Sequence, residues 1–540
     1  MTTATLAPHT GRHETMTVAA PFTGVGSLVR LALRRDRIRL SVWIAALTLM
    51  MVYAPNAVKL AYPDEAARQA RVNLLKTPAG MILGGPMFGV NETDLGVMMA
   101  NELMLTLIIA TSILSILTVI RHTRAEEESG AAELVLSSVV GRYARTYAAL
   151  IVVGGVNAVL AVTMTLAMSA SGFDFVNTAA MCLGITGVAM VFGALAAFTA
   201  QLWRQSRAAS GAAMGVLALA VFVRGIGDVI NNSGSVLSWF SPIAWAQQMR
   251  AFVDLRWWPF ALLVVLAVAL MVLAASLESR RQYDDGVLPS TGERPNARPI
   301  RSVFGLHVTL QRGQTIGWTV GLFLAGLAFG SMTKSLLDAA KDNKLLQRVL
   351  AHGGIDSVYT TLTQFLAAAA TAYVVGAVLR LWSDEQSGLG EAVLAGAVSR
   401  WRWLLTAVAA AIVGSAVLMF FAGLGNGLGA AVTIGEPDTI WRLTLAGLAY
   451  VPAMAVRAGI AALAVSLRQA WIGWLAVTFV VISLYLGALL RLPQWLLDTS
   501  PVNQTKTPAE YSAVALGVMV VVAVLLTVVA GLIYRRRDAV

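Results

Sequence analysis

Two acidic runs in this chain share one spacing. The first places Glu126, Glu127 and Glu128 ahead of Gly130, Glu133 and Arg142; the second places Asp384 and Glu385 ahead of Gly388, Glu391 and Arg400. Aligned without gaps from Glu126 to Tyr143 and from Asp384 to Trp401, eight of eighteen positions are identical. Glu126, Gly130 and Glu133 fall at i, i+4 and i+7, as do Asp384, Gly388 and Glu391, so each set is expected on one face of a short helix. Acids at its start suit the positive helix end. A single such run reads as a solvated cap that turns the chain. The same carboxylates at the same spacing in two places read instead as a pair of docking surfaces, and internal duplication becomes the fact to explain.

Other chemistry is sparse. The histidines at 9, 13, 122, 307 and 352 have no zinc-ligand spacing, and the single Cys182 excludes a disulfide within the chain. There is no G-x-x-x-x-G-K-[ST] run to cradle a nucleotide phosphate, so ATP hydrolysis by this polypeptide is not expected. No catalytic residue, metal or cofactor is assigned to it. If it does energised work, the energy comes from a partner or an ion gradient.

The elements that must position the two runs are set by composition. Of 540 residues, 57% are hydrophobic and 13% charged, with mean hydropathy +0.71, whereas soluble domains are roughly one-quarter charged. The chain is expected to be an all-α polytopic membrane protein, because spanning helices satisfy every backbone group within lipid. About twelve stretches have the length of a span: 40–57, 98–120, 146–170, 178–203, 208–230 and 257–277, then 314–335, 359–381, 403–432, 441–466, 470–490 and 513–534. Each acidic run follows the second span of a six-span set. Further pairs keep the same order: Arg37 and Arg312 before the first spans, Arg204-Gln205 and Arg468-Gln469 after the fourth, Ser241-Pro242 and Ser500-Pro501 after the fifth. The expected organisation is a disordered tail (1–26), a first six-span half (27–278), a cytoplasmic linker (279–299) and a second half (300–540), the halves being parallel repeats. Basic amphipathic stretches at 27–38 and 300–312 suit the headgroup plane.

With both termini inside, 25 of the 40 Lys and Arg fall on the cytoplasmic side. The net charge of +11 therefore reads as membrane topology and attraction to anionic lipid, and no nucleic-acid partner is expected. Charge within spans is costly and marks candidates. Arg224 and Asp228, four residues apart in the fifth span, read first as a helix-end salt bridge. Arg457 lies deeper, after Pro452, which can break its helix. The run Pro78–Pro86 is too short to span and reads as a surface or re-entrant helix.

The pattern Glu, Gly, Glu-x-x-Leu, Val-x-Arg in the two loops resembles the cytoplasmic loop after the second span of type 2 ATP-binding-cassette exporter permeases. The fused twelve-span layout and the wording EEESGxxELV are similar to actinobacterial polyketide-antibiotic (tetronasin-like) or multidrug exporters. Members often carry proline just before the Val-x-Arg, where this chain has Val139 and Ala397. The resemblance implies that Glu126, Glu127, Glu128, Gly130, Glu133, Arg142, Asp384, Glu385, Gly388, Glu391 and Arg400 form two coupling sites. It also implies two copies of a separate ATPase binding ATP and Mg, and outward movement of hydrophobic or amphipathic compounds across a bacterial cytoplasmic membrane. By the same resemblance the second, fifth, eighth and eleventh spans wall the substrate path; Phe479 and Tyr485 in the eleventh are candidate contacts, and Arg224, Asp228 and Arg457 are candidates by their charge within spans. The alternatives are a proton-coupled major-facilitator-type carrier, whose corresponding loop is usually basic where this one is acidic, a lipid exporter, and a membrane subunit without transport.

Overall fold

The structure, a computed structural model, describes residues 20–76, 78–91, 94–130, 133, 140–281, 285–288, 300, 302–334, 336–337, 354–386, 388–486 and 493–536. The described residues are helical apart from turns and short connections. They form two compact units: unit 1 is Met1–Leu60 with Leu83–Gly292, and unit 2 is Ala61–Ile82 with Glu293–Val540.

In chain order the helices are α1 (Val25–Ala61), α2 (Glu65–Leu75), α3 (Pro78–Gly84), α4 (Leu95–His122), α5 (Arg124–Glu128), α6 (Ala144–Ala170), α7 (Phe175–Leu202), α8 (Ser206–Ile230), α9 (Pro242–Gln247) and α10 (Trp258–Arg280). They continue with α11 (Val303–Ser331), α12 (Gly354–Gln386), α13 (Leu389–Leu394), α14 (Arg400–Ile434), α15 (Asp438–Leu448), α16 (Val451–Ser466), α17 (Ala470–Val481) and α18 (Ala513–Arg536). Ten of the twelve expected spans are helices long and apolar enough to cross a membrane. The seventh, α11, is helical over Val303–Ser331, with Gln311, Arg312 and Gln314 diluting its apolar run. The eleventh is the shorter apolar helix Ala470–Leu484, ending in a π-helical turn over Ile482–Leu486. The chain is thus an all-α polytopic membrane protein.

Local chemistry starts and stops these helices. Asp94 accepts from the backbone of Gly96 and Val97, Asp174 from Asn177, Ser302 from Gly305 and Ser399 from Arg402, each side chain satisfying an N–H left open at a helix start. Gly435 at φ +85° closes α14. The tenth span is two helices, because Pro452, lacking an N–H and fixed near φ −65°, sits in the first turn of α16 rather than inside a continuous helix.

Both units use one packing scheme. In unit 1 the fourth span, α7, packs on α4, α6, α8 and α10; in unit 2 its counterpart α16 packs on α12, α14, α17 and α18. Ala, Gly and Thr dominate the buried face of α7, and Ala with Gly that of α16, which lets neighbours approach closely. The second and fifth spans of each unit also touch. Unit 2 adds a tight crossing. At Gly326 and Gly330 of α11 a Cβ would collide with the backbone of Ala422 and Asn426, and at Gly425 and Gly429 of α14 with that of Phe323 and Leu327.

Two expectations change. The basic stretches 27–38 and 300–312 do not form separate helices in the headgroup plane: α1 and α11 run from them straight into the span. At about 1.5 Å per residue α1 is roughly 55 Å long, well beyond the hydrocarbon core. Residues 20–24, expected in the tail, form a turn tied to the motif end of unit 1, where Gly141 N donates to Thr23 O and Tyr143 N to Pro21 O at 2.9 and 3.1 Å. The run 78–86, expected as a helix too short to span, does hold the seven-residue helix α3.

Candidate functional site

The duplicated loop carries the same backbone signature in each unit. Helix α5 ends at Glu128, and Gly130 follows at φ +73°; α12 ends at Gln386, and Gly388 follows at φ +73°. No heavy atom lies within 4 Å of a Cβ built on either glycine, so what glycine supplies there is the left-handed conformation, which disfavours other residues by about 1–2 kcal/mol. This corrects the expected geometry. A left-handed residue breaks the helix, so Glu126, Gly130 and Glu133, and Asp384, Gly388 and Glu391, do not share one continuous helical face. Of the remainder of the first copy, 131–132 and 134–139 lie outside the described residues.

The carboxylates divide by burial. Glu127, whose side chain is 2% exposed, is held by three guanidiniums. Arg281 grips it with both nitrogens at 2.6 and 3.0 Å, Arg145 Nη2 donates at 2.5 Å, and Arg124 Nη1 donates to the other oxygen. Two of those arginines are themselves anchored: Arg124 donates to Trp203 O (2.7 Å) and Asp285 O (2.6 Å), and Arg281 to Gln201 Oε1 (2.5 Å). Arg142 donates to Glu278 O and Ser279 O at 3.0 and 2.6 Å, satisfying carbonyls left open at the end of α10. Glu126 bonds Arg35 (3.0 Å) and His122 (3.3 Å); His122 in turn meets buried Asp36 of α1 at 3.0 Å, and Arg121 meets Asp36 at 3.1 Å. Exposed Glu128 accepts from the backbone and hydroxyl of Ser206 at the start of α8, a favourable place for a negative charge. Glu133 is exposed.

In unit 2 the aligned Glu385 accepts from Tyr534 Oη at 2.6 Å, and buried Asp384 lies 3.6 Å from Arg380. Glu391 is exposed, and Arg400 lines a cavity beside Trp401, Leu532 and Arg535. The repeated acid therefore does one job twice. Glu127 fixes Arg281, one residue past the end of α10, and Glu385 fixes Tyr534, in the last turn of α18, so each loop is tied to the end of the sixth span of its own unit. The signal was present in sequence as the identity Glu127/Glu385, but its partners, an Arg in one half and a Tyr in the other, do not match.

The span charges are not brought to the loops. Arg224 and Asp228, fully buried, pair at 3.2 Å, and Ser238 Oγ donates to the second Asp228 oxygen at 2.8 Å. This pins the end of α8 to the turn Ser238–Phe240, as the helix-end salt bridge predicts. Arg457, 3% exposed, has no hydrogen-bond partner for Nε or Nη2 among the described residues. It lies eleven residues before Arg468; eleven before the paired Arg204 stands Gly193, whose Cβ would touch Val153 and Ser115. Phe479 is half-buried on α17, and Tyr485 lies in the π-helical turn. Near the other end of unit 1, Asp254 faces Arg250 and Arg256 at 3.1 and 2.5 Å. Slight burial opposes its ionisation, yet the two guanidiniums hold its carboxyl below the usual carboxylate range.

Comparison with known proteins bears on what this arrangement serves. Residues 300–535 match the family model described as the C-terminal domain of the multidrug efflux system permease Rv1217c. Over 407 residues, covering 74% of this chain and 71% of the relative, the sequence is 37% identical to the multidrug efflux system permease protein Rv1217c of Mycobacterium tuberculosis (strain ATCC 25618 / H37Rv).

Proposed function

The chain belongs to the family of the multidrug efflux permease Rv1217c, and we propose that it is the membrane permease of an ATP-driven exporter of the type 2 ATP-binding-cassette, tetronasin-like kind, moving lipophilic compounds outward across a bacterial cytoplasmic membrane. Two copies of a separate ATPase, holding ATP and Mg, dock on the two duplicated loops, and both termini lie on that side. The observation that carries the reading is the repeated construction of those loops: a carboxylate tied to the last span of its own unit, then a left-handed glycine, then an exposed acid at Glu133 and Glu391. A loop joined to the far span of a six-helix unit hands any push received outside the membrane to that span. Exposed carboxylates six residues on suit a basic partner surface.

Within the spans the walls are Leu, Val, Ala, Met and Phe, so recognition rests on apolar burial, which discriminates weakly between shapes of similar size. Several unrelated lipophilic antibiotics are the expected cargo, with Phe479, Tyr485 and Arg457 along the path.

The deciding experiment measures accumulation of such compounds in cells expressing the permease with its ATPase, against cells whose ATPase cannot hydrolyse ATP. Lower accumulation only with the active ATPase is expected. Equal accumulation in both, or export abolished by a protonophore while ATP stays high, would replace the reading with a proton-coupled carrier.

A further inference from the structure

Positions aligned between the two loops meet different surroundings just before the third span of each unit. In unit 1, Gly141 lies against the backbone of Ala20 and Pro21, and Tyr143 packs on Phe22 with ring centroids 6.0 Å apart. The chain itself covers that place. In unit 2 the aligned Ser399, Arg400 and Trp401 line an open cavity of about 570 Å³, whose other side is formed by Leu532 and Arg535 of α18. Trp401 is held against Gly531, where a Cβ would collide with its ring, so the wall of the cavity is fixed by packing.

The cavity opens onto an apolar track. Val514, Val518, Val521, Leu525, Val528 and Leu532 recur at alternating intervals of four and three along α18, and all six are exposed. Leu532 belongs to both the track and the cavity. Directly beyond it the helix turns basic at Arg535 and Arg536. That change from hydrocarbon-facing to charged side chains marks the headgroup level of a membrane, where tryptophan also concentrates.

We propose that this cavity is a binding site for an anionic phospholipid, its phosphodiester between Arg400 and Arg535 and an acyl chain along the α18 track. Guanidiniums match phosphate oxygens in pairs, which an ammonium does not. The hydroxyl of Ser399, whose oxygen accepts from Arg402 N, keeps its own proton as a neutral donor at the same level. Basic pockets between spans at the membrane edge recognise anionic headgroups by this combination of charge and burial. The site stands on unit 2 alone and does not depend on what the protein exports.

The test is lipid binding by the purified full-length protein in a neutral detergent, read by native mass spectrometry. Phosphatidylglycerol, phosphatidylcholine of the same acyl chains, and inorganic phosphate are titrated separately. Phosphatidylglycerol is expected to bind at least five-fold more tightly than phosphatidylcholine, and inorganic phosphate not to displace it. Arg400→Gln and Arg535→Gln should each weaken phosphatidylglycerol binding about five-fold and the double variant about thirty-fold, the value of one and two cationic side chains at a membrane surface. Arg207→Gln, an exposed arginine elsewhere, should change nothing. Arg535 is exposed at a helix end, so its variant separates lost binding from lost folding, with thermal unfolding of the lipid-free proteins as the check. Equal affinity for the two lipids, unchanged binding in the double variant, or displacement by inorganic phosphate would each overturn the proposal.

Discussion

Glu127 and Glu133 belong to one acidic run, yet their environments assign them different work. Glu127 is enclosed by three arginines, two of them anchored elsewhere, whereas Glu133 is exposed. Removing one partner of a buried ion pair leaves uncompensated charge and costs about 3–5 kcal/mol. Glu127→Gln should therefore lower the unfolding temperature of the purified protein markedly, before any question of partners arises. Glu133→Lys and Glu391→Lys should leave that temperature nearly unchanged while reducing co-purification of the ATPase. A stable Glu127→Gln, or normal ATPase recovery with both reversals, would contradict this division. Arg224 and Asp228 invite a parallel comparison. Asp228→Asn strands a buried guanidinium, while replacing both residues by Leu or Met removes both charges, an exchange that is often neutral or stabilising. If the pair is structural, the double variant recovers both thermal stability and drug resistance lost in the single one. Recovery of stability without resistance would place the pair in the substrate path.

Helices α11 and α14 show what a whole element contributes. Gly326 and Gly330 on one, and Gly425 and Gly429 on the other, have each other's backbone where a Cβ would stand. Small residues four apart permit such contact in lipid, where the hydrophobic effect does not drive helices together and close packing must. Gly326→Leu should separate the pair and cost about 1–3 kcal/mol or more through overpacking. Gly321→Leu, on the same helix with nothing within 4 Å of its Cβ, should be tolerated. Thermal unfolding of the two variants side by side is the measurement, and equal loss in both would refute a specific crossing. The two GxxxG patterns stand plainly in the sequence, but only their opposition across one interface gives them meaning.

For the molecule as a whole, the proposed sidedness rests on the distribution of Lys and Arg. In a Cys182→Ser background, single substitutions Ser233→Cys and Ser279→Cys place thiols at exposed positions on opposite ends of unit 1, between α8 and α9 and at the end of α10. An impermeant thiol reagent added to intact cells should label the Ser233→Cys protein and spare the Ser279→Cys protein until the membrane is broken. Labelling in the reverse order would turn the topology over, and with it the proposed docking side of the ATPase.

Composition and hydropathy alone determined that the chain is helical and polytopic, because in lipid the backbone's need for internal hydrogen bonds leaves few solutions; the duplication was read from the matching spacing of the two acidic runs. The same reasoning located the two loops and the Arg224–Asp228 pair, whose i, i+4 spacing is a local property of one helix. What it could not give were contacts between residues far apart in the chain. That Glu127 closes on Arg281 and Glu385 on Tyr534, or that residues 20–24 cover Gly141, depends on how spans converge, and no periodicity records it. The expected acidic helical face failed for a local reason with the same lesson: Gly130 and Gly388 fit the helical spacing, but the left-handed turn they adopt ends the helix. Which carboxylates are buried and which reach outward was settled only when the sixth span of each unit returned to the loop after the second.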